Sequence, residues 1–176
     1  LKNDGILPLS KNIDSIAVVG PLANKKEFAY SDYSYPSHIE DMYYTSEGLS
    51  EEEVIARTLF FKKKDTTYEK LFHDIKTVYQ TIKDTVSPDT KVYLAEGLKD
   101  TYNYHNDPDF FSIDEAVEAA SKASVIVAVC GDTSGMGREN DSGESVDRSE
   151  IHLSNEQRLF LKELGPHPVG GIIHHH

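Results

Sequence analysis

The alternation of apolar and polar positions divides the chain into a repeating strand–helix order. A first apolar run, Ser15-Ile16-Ala17-Val18-Val19-Gly20, is short, β-branched and closed by Gly20-Pro21, which predicts a buried strand. Leu71, Ile75, Val78 and Ile82 recur at spacings of four, three and four, and predict one helix with a single apolar stripe over 67–86, stopped at Ser87-Pro88. A second short strand is expected at 91–94. Ser112-Ile113-Asp114-Glu115 reads as a capping box that opens a helix reaching residue 123. Residues 125–130 form a second continuous apolar run, the composition of a strand covered on both faces of a parallel sheet. Ser154-Asn155-Glu156-Gln157 is another capping box, opening a helix to residue 164, and a fourth strand starts at 169–173. Such alternation predicts an α/β fold: an open, mostly parallel sheet with helices on both faces, an α/β sandwich truncated as its fourth strand begins.

The stretch between the last two helices changes the picture from architecture to chemistry. Directly after the 125–130 strand comes a loop dense in glycine and charge, and loops at the carboxyl ends of parallel strands are where α/β proteins place ligands. Residues 139–150 hold five carboxylates, Glu139, Asp141, Glu144, Asp147 and Glu150, answered locally only by Arg138 and Arg148. Like charges so close resist ionising together, which can raise one carboxyl's pKa. The 24–50 segment is loop-like and rich in tyrosine. Its aromatic faces could stack on sugar rings or cover an edge of the core.

Charge narrows the partners. With 30 acidic against 18 basic residues the net charge is −12, which argues against nucleic acid or an anionic membrane, both of which need clustered Lys and Arg. No run approaches the ~20 apolar residues of a membrane helix. The single cysteine, Cys130, ends an apolar strand and is expected to be buried and inert. Localisation is not readable from the sequence. The chain begins at Leu1 and is expected to be a piece of a longer protein. Residues 1–14 read as a linker entering a domain that occupies 15–173, and the histidines at 174–176 are set aside as a tag remnant.

Several motifs fail on inspection. Gly135-Met136-Gly137-Arg138-Glu139-Asn140 follows a strand as a dinucleotide fingerprint does, but Asn140 replaces the third glycine and no helix begins there. A calcium loop centred on Gly143 would place Arg138 and Ser149 at its first and last ligand positions. Asn140-Asp141-Ser142-Gly143 lacks the first glycine of a nucleophile elbow. His38, His73, His105, His152 and His167 show no metal-ligand spacing. No cofactor and no metal are implied.

Gly143-Glu144-Ser145-Val146-Asp147-Arg148, followed by Ile151-His152-Leu153 and Gln157, resembles a signature of glycoside hydrolase family 3, the family of β-glucosidases and β-xylosidases. Other stretches agree and fall in the family's order: Leu1-Lys2-Asn3-Asp4-Gly5-Ile6-Leu7-Pro8-Leu9, the first strand and its turn, and Asp32-Tyr33-Ser34-Tyr35-Pro36. The resemblance implies a C-terminal α/β sandwich domain packed on an N-terminal (β/α)8 barrel, and retaining hydrolysis of a terminal β-linked glucose or xylose. That chemistry uses two carboxyl groups about 5–5.5 Å apart. It implies Glu144 as acid/base, with Glu139 the runner-up, and Glu139, Asp141 and Asp147 as neighbours able to raise its pKa. Asp147 and Arg148 are implied to be a structural ion pair shaping the loop, while Asp32 and Tyr33 are weaker candidates for substrate contact. In the family the nucleophile is an aspartate of the barrel, in a Ser-Asp-Trp motif. This chain has no tryptophan, so it is expected not to turn over substrate alone. The alternatives are a carbohydrate-binding or interaction module in which Glu144 is a solvated loop carboxylate, and, third, a nucleotide-binding α/β domain.

Overall fold

The computed structural model describes residues 5–26, 34, 50, 52, 74–98, 112–136, 141–144, 149–165 and 169–175 of the 176-residue chain. Four strands form one parallel sheet: β1 (Ser15–Val19), β2 (Lys91–Ala95), β3 (Val125–Gly131) and β6 (Val169–His175), in the order β2-β1-β3-β6. Three described helices accompany them: α1 (Val78–Thr85), α2 (Ile113–Ser121) and α3 (Asn155–Glu163). Pairing is in register from Ser15 opposite Lys91 to Val19 opposite Ala95, and from Ile16 opposite Val125 to Val19 opposite Ala128. The β3–β6 ladder carries an irregularity between Ile126 and Val127.

The apolar runs are buried on both faces, as their composition predicts. Strand side chains alternate across a sheet. Ala17 and Val19 of β1, with Ile126, Ala128 and Cys130 of β3, therefore face one side, where Ala116, Ala119 and Ala120 of α2 and Phe160 and Leu164 of α3 cover them. Ile16, Val18, Val127 and Val129 face the other side, against Leu22, Ala23 and the partly buried Val78, Tyr79 and Ile82 of α1. Alanines on α2 let that helix lie close to the sheet. At the far end of β2, Gly97 (φ +73°) is packed so tightly that an added Cβ would enter the Phe160 ring and come 2.9 Å from the Ala116 Cβ.

Three expectations are corrected. The helix expected over 67–86 is shorter: residues 74–77 are not helical and α1 starts at Val78, while 67–73 lie outside the described residues. A capping box sets that start. Thr77 Oγ1 accepts from Gln80 N (3.1 Å), and Thr77 N donates to Gln80 Oε1 (3.1 Å), which terminates the helix whatever the apolar stripe suggests upstream. The box expected at Ser112 does not form. Its backbone (φ −116°, ψ 38°) is not that of a usual N-cap, its side chain caps nothing, and its N–H donates instead to Gly97 O (3.1 Å). The Ser154 box is half formed: Ser154 Oγ accepts from Gln157 N (3.3 Å), but the Gln157 side chain turns away to a partner across the fold.

The N-terminal segment is stitched to the sheet before β1 begins. Ser87 N donates to Lys11 O (2.8 Å), Thr90 Oγ1 to Ile13 O (2.7 Å) and Lys91 N to Asp14 O (3.1 Å).

Candidate active site

Because β1 has β2 on one side and β3 on the other, the strand order reverses between β1 and β3. Ligand sites of open α/β sheets form outside the carboxyl ends of the strands at such a point. Two connections leave from there. The first is the turn after β1, where Gly20 (φ +112°) lies against β3 so closely that a Cβ would enter the Val129 carbonyl; Leu22 N donates to that carbonyl (3.3 Å). The second is the acidic loop after Gly131.

A buried carboxamide fixes the root of this loop. Gln157, fully buried at the start of α3, accepts from Gly131 N through Oε1 (2.8 Å) and donates to Gly131 O through Nε2 (2.9 Å). One side chain thus satisfies both main-chain groups of the residue at which β3 ends, and buried backbone groups need such partners. Cys130, immediately before, is buried and unoxidised, and burial pushes its thiol up to about 12.

Beyond Gly131 the chain forms a small parallel ribbon absent from the sequence-based expectation: β4 (Ser134–Met136) and β5 (Ser142–Glu144). Ser134 stands opposite Ser142, Gly135 opposite Gly143 and Met136 opposite Glu144. One rung earlier, Asp141 Oδ2 accepts from Thr133 N (2.9 Å) and Thr133 Oγ1 (3.0 Å), Asp141 N donates to Thr133 Oγ1 (3.1 Å), and Ser142 N donates to Thr133 O (3.1 Å). Thr133 is buried.

The crowd of carboxylates is thereby resolved in part. Asp141 is bound to Thr133. Glu150, exposed, lies 3.0 Å from His152 Nε2, whose Nδ1 is 3.1 Å from Leu153 O. The Glu144 main chain ends β5. Glu139, Asp147, Arg148, Asp32 and Tyr33 lie outside the described residues. Two contributors escaped sequence reasoning. Asp141 carried weight there only through its charge, and Gln157 was expected to cap its own helix. Gln157 belongs to the family signature and Asp141 to the acidic cluster, but neither pattern says which backbone groups the two side chains bind. Among the described residues, no three His, Cys, Asp or Glu side chains converge to hold a metal ion, and no helix is long and apolar enough to cross a membrane.

A parallel sheet covered on both faces, with a shaped loop at its switch point, defines an α/β sandwich of the kind that carries active-site loops. Residues 1–167 match the family model of the glycosyl hydrolase family 3 C-terminal domain, and the chain belongs to that family. It is 29% identical over 159 residues to the periplasmic beta-glucosidase of Salmonella typhimurium (strain LT2), a match that takes in 90% of this chain and 18% of that protein. In fold it is similar to a beta-glucosidase involved in saponin metabolism from intestinal bacteria, with a TM-score of 0.54, 22% identity, and coverage of 93% of this chain and 20% of the other. The chain spans about a fifth of the length of each of these relatives.

Proposed function

We propose that this chain is the part of a retaining β-glycosidase that supplies the acid/base carboxyl, Glu144, for hydrolysis of a terminal β-linked glucose or xylose. The supporting observation is the position of its main chain: Glu144 ends a short strand that hangs from the carboxyl end of β3, at the switch point of a glycosyl hydrolase family 3 C-terminal domain. Glu144 protonates the leaving oxygen as the glycosidic bond breaks, then takes the proton from the incoming water as the glycosyl-enzyme is hydrolysed. A companion (β/α)8 barrel supplies the nucleophilic carboxylate. In this reading Asp147 and Arg148 shape the loop as an ion pair, and Asp32 and Tyr33 contact sugar. Residues 1–14 lead in from the companion domain, and 15–173 form this one.

Glu144→Ala in the complete enzyme tests the assignment. The expected result is a loss of about 10²–10⁴-fold in kcat/KM on a β-glucoside with a poor leaving group, while on a dinitrophenyl β-glucoside, whose leaving group departs without an acid, azide raises the depressed kcat and yields a glycosyl azide. Azide is a nucleophile that needs no general base, so it replaces water only where the base is what is missing. An unimpaired Glu144→Ala enzyme would instead mark the chain as a carbohydrate-binding or interaction module. If Glu139→Ala alone shows azide rescue, the acid/base role moves to Glu139.

A further inference from the structure

The ribbon that carries Glu144 has little of its own to hold it. Each strand is three residues long, Ser-Gly-Met against Ser-Gly-Glu, with glycine at each centre. Isolated two-stranded ribbons are marginal in water, and glycine-rich strands specify their register weakly. A slip of one residue would put Gly143 or Ser145 opposite Met136 and turn every side chain of β5 to the other face. Something else must choose the rung.

Thr133 and Asp141 stand at the same offset of eight residues as the three pairs that follow them, 134 with 142, 135 with 143 and 136 with 144. Their contacts make the first rung a closed ring: the carboxylate accepts from both the amide and the hydroxyl of Thr133, while the hydroxyl accepts from the Asp141 amide. A buried Thr133 leaves little water to compete for these bonds. A Gly131–Gln157 pair two residues upstream ties the same segment to α3. The frame is therefore fixed on both sides of Asp132 before the ribbon starts.

We propose that Asp141 is a positioning residue for the acid/base: by clamping Thr133 it sets the β4–β5 register that places Glu144. The inference rests on the assignment of Glu144 made above. It differs from the electrostatic role that the sequence suggests for Asp141, because the clamp works through geometry and survives loss of the charge if the acceptor oxygen remains.

The test uses the complete enzyme, with kcat/KM measured on two β-glucosides, one with an unactivated alkyl leaving group and one with a dinitrophenyl leaving group. A displaced general acid matters only where the leaving oxygen needs a proton. Asp141→Ala is expected to lose about 100-fold on the alkyl glucoside, the scale of an ångström-level misplacement, and only a few-fold (about 3) on the activated one. Asp141→Asn, which keeps an acceptor oxygen and removes the charge, recovers most of the loss. Thr133→Val deletes the hydroxyl while keeping the side chain's shape, and gives the same split between substrates at smaller size. It and Asp141→Asn carry the test if Asp141→Ala does not fold. Equal losses on both substrates overturn the inference in favour of general loop support, and an Asn variant as poor as Ala overturns it in favour of charge. Glu144→Ala is measured alongside. If it shows neither the leaving-group split nor azide rescue, the acid/base assignment fails and this inference with it. If it shows both while the Asp141 variants match the wild type, the register clamp alone is wrong.

Discussion

Cys130 shows how much a single residue's neighbours in sequence say about its state. A lone thiol at the end of an apolar strand is expected to be inert, and burial on the α2–α3 side of the sheet makes it so, with its pKa raised from 9.0 to about 12. The sign of the linkage follows. The folded value lies above the unfolded one, so this contribution to stability is complete below about pH 9 and is lost as pH rises toward 12, at about 1.4 kcal/mol per pH unit. We therefore expect urea unfolding midpoints of the wild type to fall more steeply between pH 9 and 11 than those of Cys130→Ala. A maleimide at pH 8 should label the thiol only as fast as the protein opens. Gln157 teaches the opposite lesson. Its residue type and place near a helix start point to a local capping role, and nothing in the sequence says that its amide will reach Gly131, 26 positions away. Spacing suggests local hydrogen bonds, of which the one at Ser154 forms and the one at Ser112 does not; long-range ones need the fold.

At the scale of elements, legibility followed the strength of the apolar pattern. The runs that became β1 and β3 announce themselves because four or more consecutive apolar residues, many β-branched, suit little besides a strand covered on both faces. The ribbon of β4 and β5 does not, since strands of three residues built on serine and glycine carry no periodicity. The start of α1 lies between these cases. Its apolar stripe continues upstream through Ile75, but Thr77-Val78-Tyr79-Gln80 is a complete capping box, and the cap overrode the stripe. Thr77 does further service, donating from Oγ1 to Asn24 Oδ1 (3.0 Å) while Tyr79 N donates to Ala23 O (3.0 Å), so the cap also docks α1 on the turn that follows β1. Thr77→Ala should cost about 1–2 kcal/mol. Thr77→Ser, which keeps the hydroxyl, should recover most of it. Urea denaturation followed by far-ultraviolet circular dichroism measures both.

For the molecule as a whole, the alternating order of strands and helices was enough to give the fold class, and it puts the acidic loop at the carboxyl end of the sheet, where ligands of open α/β sheets bind. What the order could not give is the strand sequence across the sheet, because parallel pairing depends on which edge each crossover returns to. That arrangement brings the turn after β1 and the loop after β3 to one place. The proposed division of labour, acid/base here and nucleophile on a companion barrel, has a direct consequence. The isolated chain should show no hydrolysis of an aryl β-glucoside above the buffer rate, and the enzyme joined to its barrel should show turnover that Glu144→Ala removes. Hydrolysis by the isolated chain that Glu144→Ala abolishes would place both carboxylates within these 176 residues.

The pairing of Gly131 with Gln157 has one more implication, for how the loop can change over time. A strand end usually borrows its last hydrogen bonds from a neighbouring strand, so mutations in the loop beyond it leave the rest of the sheet indifferent. Here Gly131 stands opposite His175 of β6, but its own N–H and C=O are both bonded by Gln157, in the first turn of a helix that lies on the other side of the loop in sequence. The loop is thus a closed span between two fixed piers, and its length is free to vary only if both piers stay where they are. A shift of α3 by a single residue would carry Gln157 away from Gly131 and remove that anchor of the loop.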